Sequence, residues 1–106
     1  MGIFDIFKKA DIQQGIDEYQ NTAGAVLLDV RTPGEYKGGR IPGSKNVPLQ
    51  SIEDIADVAA DKATPLFVYC QSGARSSQAV SKLKAMGYTN MKNLGGINAY
   101  RGRREV

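Results

Sequence analysis

With 106 residues, 42% of them hydrophobic and 24% charged, the chain has material for one ordinary globular core and too little for a second. It contains no histidine and a single cysteine, which excludes imidazole-based triads and dyads, His-ligated metals, Cys-rich metal clusters and an internal disulfide. The net charge of +3 is carried partly by Arg101, Arg103 and Arg104 near the end, without the basic face interleaved with aromatics that nucleic-acid binding calls for.

The opening Met1-Gly2-Ile3-Phe4-Asp5-Ile6-Phe7-Lys8-Lys9 places an acid inside its short apolar part and its basic residues after it, against the order of a secretory signal. Position 6 is neither Ser nor Thr, which speaks against myristoylation. Residues 1–10 are therefore read as an N-terminal extension, with a short amphipathic turn over residues 3–7 packing on the edge of one domain spanning 1–106. No apolar run has the length of a membrane span. The expected setting is the cytoplasm, with neither a membrane nor a nucleic-acid partner.

From Asp11 the spacing of Ile12, Ile16 and Tyr19 predicts a helix ending near Asn21 or Gly24. Ala25-Val26-Leu27-Leu28-Asp29-Val30 is a continuous apolar run closed by Asp29, the pattern of a strand buried on both faces, and Pro33-Gly34 predicts a turn. Residues 38–44 read as loop, and Asn46-Val47 as a very short strand before Pro48. Ser51 is the expected N-cap of a helix whose apolar face is Ile52, Ile55, Ala56 and Ala59, with acids in its first turn.

Pro65-Leu66-Phe67-Val68-Tyr69 is a second buried strand, and Cys70 follows at once. A helix from about 75 to 86 turns Ala79, Val80, Leu83 and Met86 to the core and stops at Gly87. A third strand over 91–94, Gly95-Gly96, and a helical turn around Ala99-Tyr100 complete the chain. Buried strands alternating with helices predict an α/β domain, its mainly parallel central sheet flanked by helices on both faces. Ligands of such sheets bind beyond the carboxyl ends of the strands, where Cys70 falls.

Cys70-Gln71-Ser72-Gly73-Ala74-Arg75 joins a strand end to a helix start through small residues. Such a loop turns its amides toward one point, and the helix adds the positive end of its dipole. Gly73 allows the curl. A free thiol near pKa ~8.5 is only about 3% ionised at neutral pH, whereas one lowered to ~6.5 is mostly thiolate. The loop thus activates a cysteine without imidazole. A buried inert cysteine is the alternative, but it needs no polar, glycine-containing loop ending in arginine.

Cys70-Gln71-Ser72-Gly73-Ala74-Arg75-Ser76 resembles the active-site loop of rhodaneses. Two further segments resemble the family: Leu28-Asp29-Val30-Arg31-Thr32-Pro33-Gly34-Glu35-Tyr36 leading into Gly39-Arg40-Ile41-Pro42-Gly43-Ser44 and Asn46-Val47-Pro48, and the closing Asn93-Leu94-Gly95-Gly96 with Tyr100. They occur in the family order over roughly residues 11–101. Arg40 and Tyr100 depart from it, standing where the family often has His and Trp. The resemblance implies that Cys70 takes the outer sulfur of thiosulfate or a similar small anionic donor as a persulfide. It then passes that sulfur to cyanide, a thiol or a protein acceptor, with no metal and no cofactor.

On this reading the catalytic residue is Cys70, and Gln71, Ser72, Gly73, Ala74 and Arg75 bind substrate. Arg75 either orients the donor or forms a salt bridge at the helix start. Asp29 and Arg31 are structural, Glu35 and Arg40 brace loops, and Tyr36 and Tyr100 pack. Phosphatases and arsenate reductases of the cell-cycle phosphatase type resemble the same fold, but their loop is one residue longer than the four residues between Cys70 and Arg75. A persulfide relay or a partner-binding module is the further alternative.

Overall fold

The computed structural model describes residues 11–106, so the expectations for residues 1–10 lie outside the described residues. Helix α1, Ile12–Gln20, starts where the Asp11 carboxylate accepts the backbone N–H of Gln13 at 3.0 Å, and it ends at Asn21. Strand β1 is Val26–Asp29, helix α2 Pro33–Lys37 and strand β2 Lys45–Asn46. A 3-10 segment, Leu49–Asp57, leads to β3, Leu66–Cys70. Helix α3, Ala74–Ala85, strand β4, Met91–Gly96, and a 3-10 turn, Ile97–Ala99, follow.

The strands form one sheet in the order β2-β1-β3-β4, all parallel, as the alternation of apolar runs and helices predicts. Each parallel step requires a crossover; the 3-10 segment and α3 cover one face, and α1, which precedes β1, packs on the other. β3 lies at the centre, and all five of its residues are buried. Because side chains alternate along a strand, Leu66, Val68 and Cys70 join a core with Leu28, Val30, Ile52, Ile55, Ala79, Leu83 and Tyr88. Phe67 and Tyr69 join the opposite core, with Leu27, Ile12, Ile16, Leu94 and Ile97. Cys70 therefore faces the layer that holds α3. No helix among the described residues is long and apolar enough to cross a membrane.

Four local expectations are corrected. Pro33-Gly34 does not make a simple turn: it opens α2, whose N-cap Thr32 and Glu35 form a reciprocal capping box with proline in the first turn. Ser51 does not cap a helix. The chain begins to coil at Leu49, whose N–H donates to the Val30 carbonyl at 3.0 Å, and Ser51 sits at a kink with φ −118° and ψ 29°. A 3-10 coil repeats every three residues, so Ile52, Ile55 and Val58 turn inward while Ala56 is exposed. At the end of the chain the helical turn covers Ile97–Ala99, and Tyr100 is already extended.

Candidate active site

The carboxyl ends of β1 and β3 lie side by side, with Asp29 opposite Tyr69. Around them three polar clusters converge, centred on Cys70, on Asp29 with Arg31, and on Glu35 with Arg75.

Cys70 is 1% exposed. The loop after it curls through Gly73, whose φ of +111° favours glycine, and the Gly73 N–H donates to Sγ at 2.9 Å. The Cys70 Sγ–H reaches the Ser76 Oγ at 3.5 Å. Burial pushes the thiol pKa up, but the Ser76 hydroxyl and the amides of Ser76, Gly73 and Ser72 stabilise the anion more, and the net direction is down. Ser72 and Gly73 of the loop and Ser76 at the head of α3 thus supply amides that favour the thiolate.

β4 closes the loop from the side. Gly96 pairs with Cys70 across the sheet, and a Cβ there would fall 2.4 Å from the Gln71 carbonyl oxygen and 2.6 Å from the Ser72 Cα. Only glycine lets the strand approach the loop so closely. The side chain of Gln71 spans sideways, accepting from Arg31 Nη1 at 3.1 Å and donating to Asn98 Oδ1 at 2.7 Å. Ser72 and Ala74 are exposed at the loop surface.

Asp29 and Arg31, 0% and 3% exposed, form a buried ion pair at 2.8 Å. Arg31 also donates to the Gly39 carbonyl at 2.7 Å, and its own N–H donates to Asp29 Oδ1 at 2.8 Å. The pair thereby ties the end of β1, the loop before β2 and Gln71 together, as a structural reading of these two residues anticipates. Asn46 Nδ2 donates to the carbonyls of Asp29 and Arg31 and fixes the same turn.

Arg75 meets Glu35 through both terminal guanidinium nitrogens, at 2.7 and 2.9 Å. Of the two roles open to Arg75 in the sequence, this geometry is that of the salt bridge. The fork also braces α2 against the head of α3. A hollow of about 80 Å³ lies beside it, lined by Val30, Thr32, Pro48, Leu49, Gln50 and Arg75. Tyr36 donates to the Ser44 carbonyl at 2.7 Å, and Arg40 lies over the Tyr36 ring, so both brace the loop.

The Arg75 guanidinium, with the Thr32 backbone and hydroxyl, lowers the Glu35 carboxyl from 4.5 to about 2, against the upward push of its partial burial. A depressed carboxylate contributes stability above its unfolded pKa and loses it as pH falls through the folded value. Between about pH 4.5 and pH 2 the Glu35→Gln variant should therefore show a flatter fall in stability than the parent. With each side chain 33% exposed, solvent screening limits the difference at neutral pH to about 1 kcal/mol. Urea titrations at stepped pH measure it, and parallel curves would remove the assignment.

Sequence reasoning placed Ser76 at the end of the loop motif and Gly96 in the closing Gly95-Gly96 pair but gave neither a role in the site. Gly96 carried a signal as half of the Gly95-Gly96 pair, whereas the role of Ser76 depends on where α3 begins. Among the described residues no group of three or more Cys, Asp or Glu is arranged to hold a metal ion. A buried thiol with a lowered pKa, held by amides at a strand end, equips the site for nucleophilic chemistry at sulfur.

Comparison with known proteins agrees with this geometry. The family model described as a rhodanese-like domain matches residues 10–103. The chain is 36% identical over 97 residues to the uncharacterized protein YqhL of Bacillus subtilis, covering 87% of this chain and 75% of that protein. It is 39% identical over 71 residues to the thiosulfate sulfurtransferase PspE of Escherichia coli, covering 66% and 68%. To the thiosulfate sulfurtransferase GlpE of Stutzerimonas stutzeri it is 36% identical over 80 residues, covering 74% and 72%. Among solved structures, a rhodanese with anions from E. coli superposes with a TM-score of 0.71 at 35% identity, over 76% of this chain and 96% of that one.

Proposed function

Because this chain belongs to the rhodanese-like domain family, we propose that it is a sulfurtransferase whose Cys70 carries sulfane sulfur as a persulfide, taken from thiosulfate or a similar small anionic donor. The observation that carries the reading is the thiol itself: a buried sulfur receiving the Gly73 N–H at 2.9 Å, with its pKa lowered and no histidine in the chain. Relatives bearing the name thiosulfate sulfurtransferase support the donor class.

Two steps account for the transfer. The Cys70 thiolate attacks the outer sulfur of the donor, the Sγ–S bond forms, and the donor's S–S bond breaks with its electron pair leaving on sulfite. The persulfide then carries the negative charge on its outer sulfur. A nucleophilic acceptor, cyanide or a thiol, takes that outer sulfur, and the electron pair of the Sγ–S bond returns to Sγ. Gln71, Ser72, Gly73 and Ala74 bind the sulfur species through the curl of their backbone. Arg75 lends positive charge to the rim while held by Glu35.

Phosphoryl transfer fits less well. Only four residues separate Cys70 from Arg75, and both terminal nitrogens of Arg75 are engaged by Glu35, so the fork that would grip phosphate oxygens is taken.

Incubation with thiosulfate followed by intact-mass measurement should find the protein heavier by one sulfur atom, and cyanide should restore the original mass. The rate of Cys70 alkylation against pH should show a midpoint below that of a free cysteine, ~8.5. Efficient turnover of aryl phosphates with no uptake of sulfur would replace this reading with a phosphatase.

A further inference from the structure

Ser76 is a fully buried polar side chain in the first turns of α3, and its hydroxyl has more acceptors than protons. The hydroxyl donates to the Gly73 carbonyl at 3.0 Å. The Gly95 carbonyl and Cys70 Sγ each lie 3.5 Å from the same oxygen. A serine hydroxyl has one proton to give and lone pairs to receive. While Cys70 is a thiol, its S–H points to Oγ and the Ser76 proton satisfies Gly73. Once Sγ is an anion it has no proton to give, and the serine O–H finds its strongest acceptor by rotating about a single bond to the sulfur. The Arg75 guanidinium interacts electrostatically with Cys70 and is already paired by Glu35.

We propose that the Ser76 hydroxyl is a catalytic hydrogen-bond donor to Cys70 Sγ that acts chiefly on the departing sulfur when the persulfide is discharged. The proposal rests on the sulfur-transfer reading above and adds a division of labour to it. In the persulfide the charge has moved to the outer sulfur and Sγ is neutral, so Ser76 returns to the Gly73 carbonyl. When an acceptor takes the outer sulfur, the electron pair of the breaking S–S bond falls on Sγ, and the Ser76 proton swings back to meet it. No proton is transferred and no other reactant is needed.

The two half-reactions should respond to Ser76 with opposite signs. A hydrogen bond that stabilises the thiolate makes it a weaker nucleophile in loading and a better leaving group in discharge. With each rate divided by the thiolate fraction that the protein's own alkylation pH profile gives, single-turnover mass spectrometry should find that Ser76→Ala loads sulfur from thiosulfate as fast as the parent or up to several-fold faster. Its persulfide should be discharged by cyanide about three- to tenfold more slowly. Ser76→Thr keeps the hydroxyl and should restore both rates.

Damage to the loop would slow both steps together. Should Ser76→Ala not fold, the parent protein with 13C-labelled serine supplies the test: the Ser76 Cβ resonance should move with Cys70 ionisation and move back on persulfidation. Ser76→Ala with parental rates in both steps, or with both equally slowed, overturns the proposal, as does a Ser76 resonance indifferent to both changes. A parent protein that never takes sulfur from thiosulfate overturns the sulfur-transfer reading instead.

Discussion

Cys70→Ser is expected to reduce thiosulfate:cyanide sulfur transfer to background, a loss on the order of a thousandfold or more. The chain has no other thiol to take the sulfur, and a serine hydroxyl in the same cradle stays protonated at neutral pH because a few amides cannot lower an alcohol's pKa into that range. The fold should survive. Serine is slightly smaller than cysteine, and its oxygen retains polar neighbours in the Gly73 N–H and the Ser76 hydroxyl, which now meet Sγ at 2.9 and 3.5 Å. Steady-state assay beside a thermal melt separates the two properties. Substantial residual turnover in a melting-competent variant would sink the Cys70 persulfide.

Asp29→Ala should give the largest loss of stability. Removing the carboxylate leaves the Arg31 guanidinium buried, 3% exposed, with its charge unanswered. Breaking a buried pair from one side typically costs about 3–5 kcal/mol, and the Arg31 N–H loses its acceptor in the same step. For a chain of this size that corresponds to a fall in melting temperature of at least about 12 °C. Asp29→Asn keeps an acceptor and should lose less. A change below about 1 kcal/mol in Asp29→Ala, measured by urea unfolding, would show that Arg31 finds compensation elsewhere.

The strands were legible because burial on both faces writes itself as continuous apolar runs: Leu27-Leu28 and Leu66-Phe67-Val68 have no polar interruption, and both lie in central strands. α1 was legible at both ends because its cap, Asp11, and its buried face, Ile12 and Ile16, are local signals. α2 was missed because five residues are too few for a periodicity, although Thr32 and Glu35 stand at capping-box spacing. Ser51 misled because a 3-10 coil and an α-helix share their first residues in sequence and differ only in repeat.

In the site, the position of Cys70 at a strand end followed from pattern alone. The partners of Arg75 and Gln71 did not, because Glu35 and Arg31 are each 40 residues away along the chain. Ser76 escaped for a related reason. A serine within a polar helix start has many ordinary uses, and only the approach of Gly95 and Sγ gives this one its meaning.

The depth of the thiol has a consequence for where the cargo ends up. An incoming thiol can strike either sulfur of a persulfide. Attack on the outer one passes the cargo on, whereas attack on Sγ expels hydrosulfide and leaves the enzyme in a mixed disulfide. Which sulfur is struck depends on access as well as on charge. Displacement at sulfur runs in line with the bond that breaks, so attack on Sγ would have to come from the side opposite the outer sulfur, where Cys70, 1% exposed and packed among core residues, leaves little room. Burial thus sets the regiochemistry. Under the proposed transfer it would direct even bulky thiols to the productive end of the bond and keep the sulfur from being lost as free sulfide.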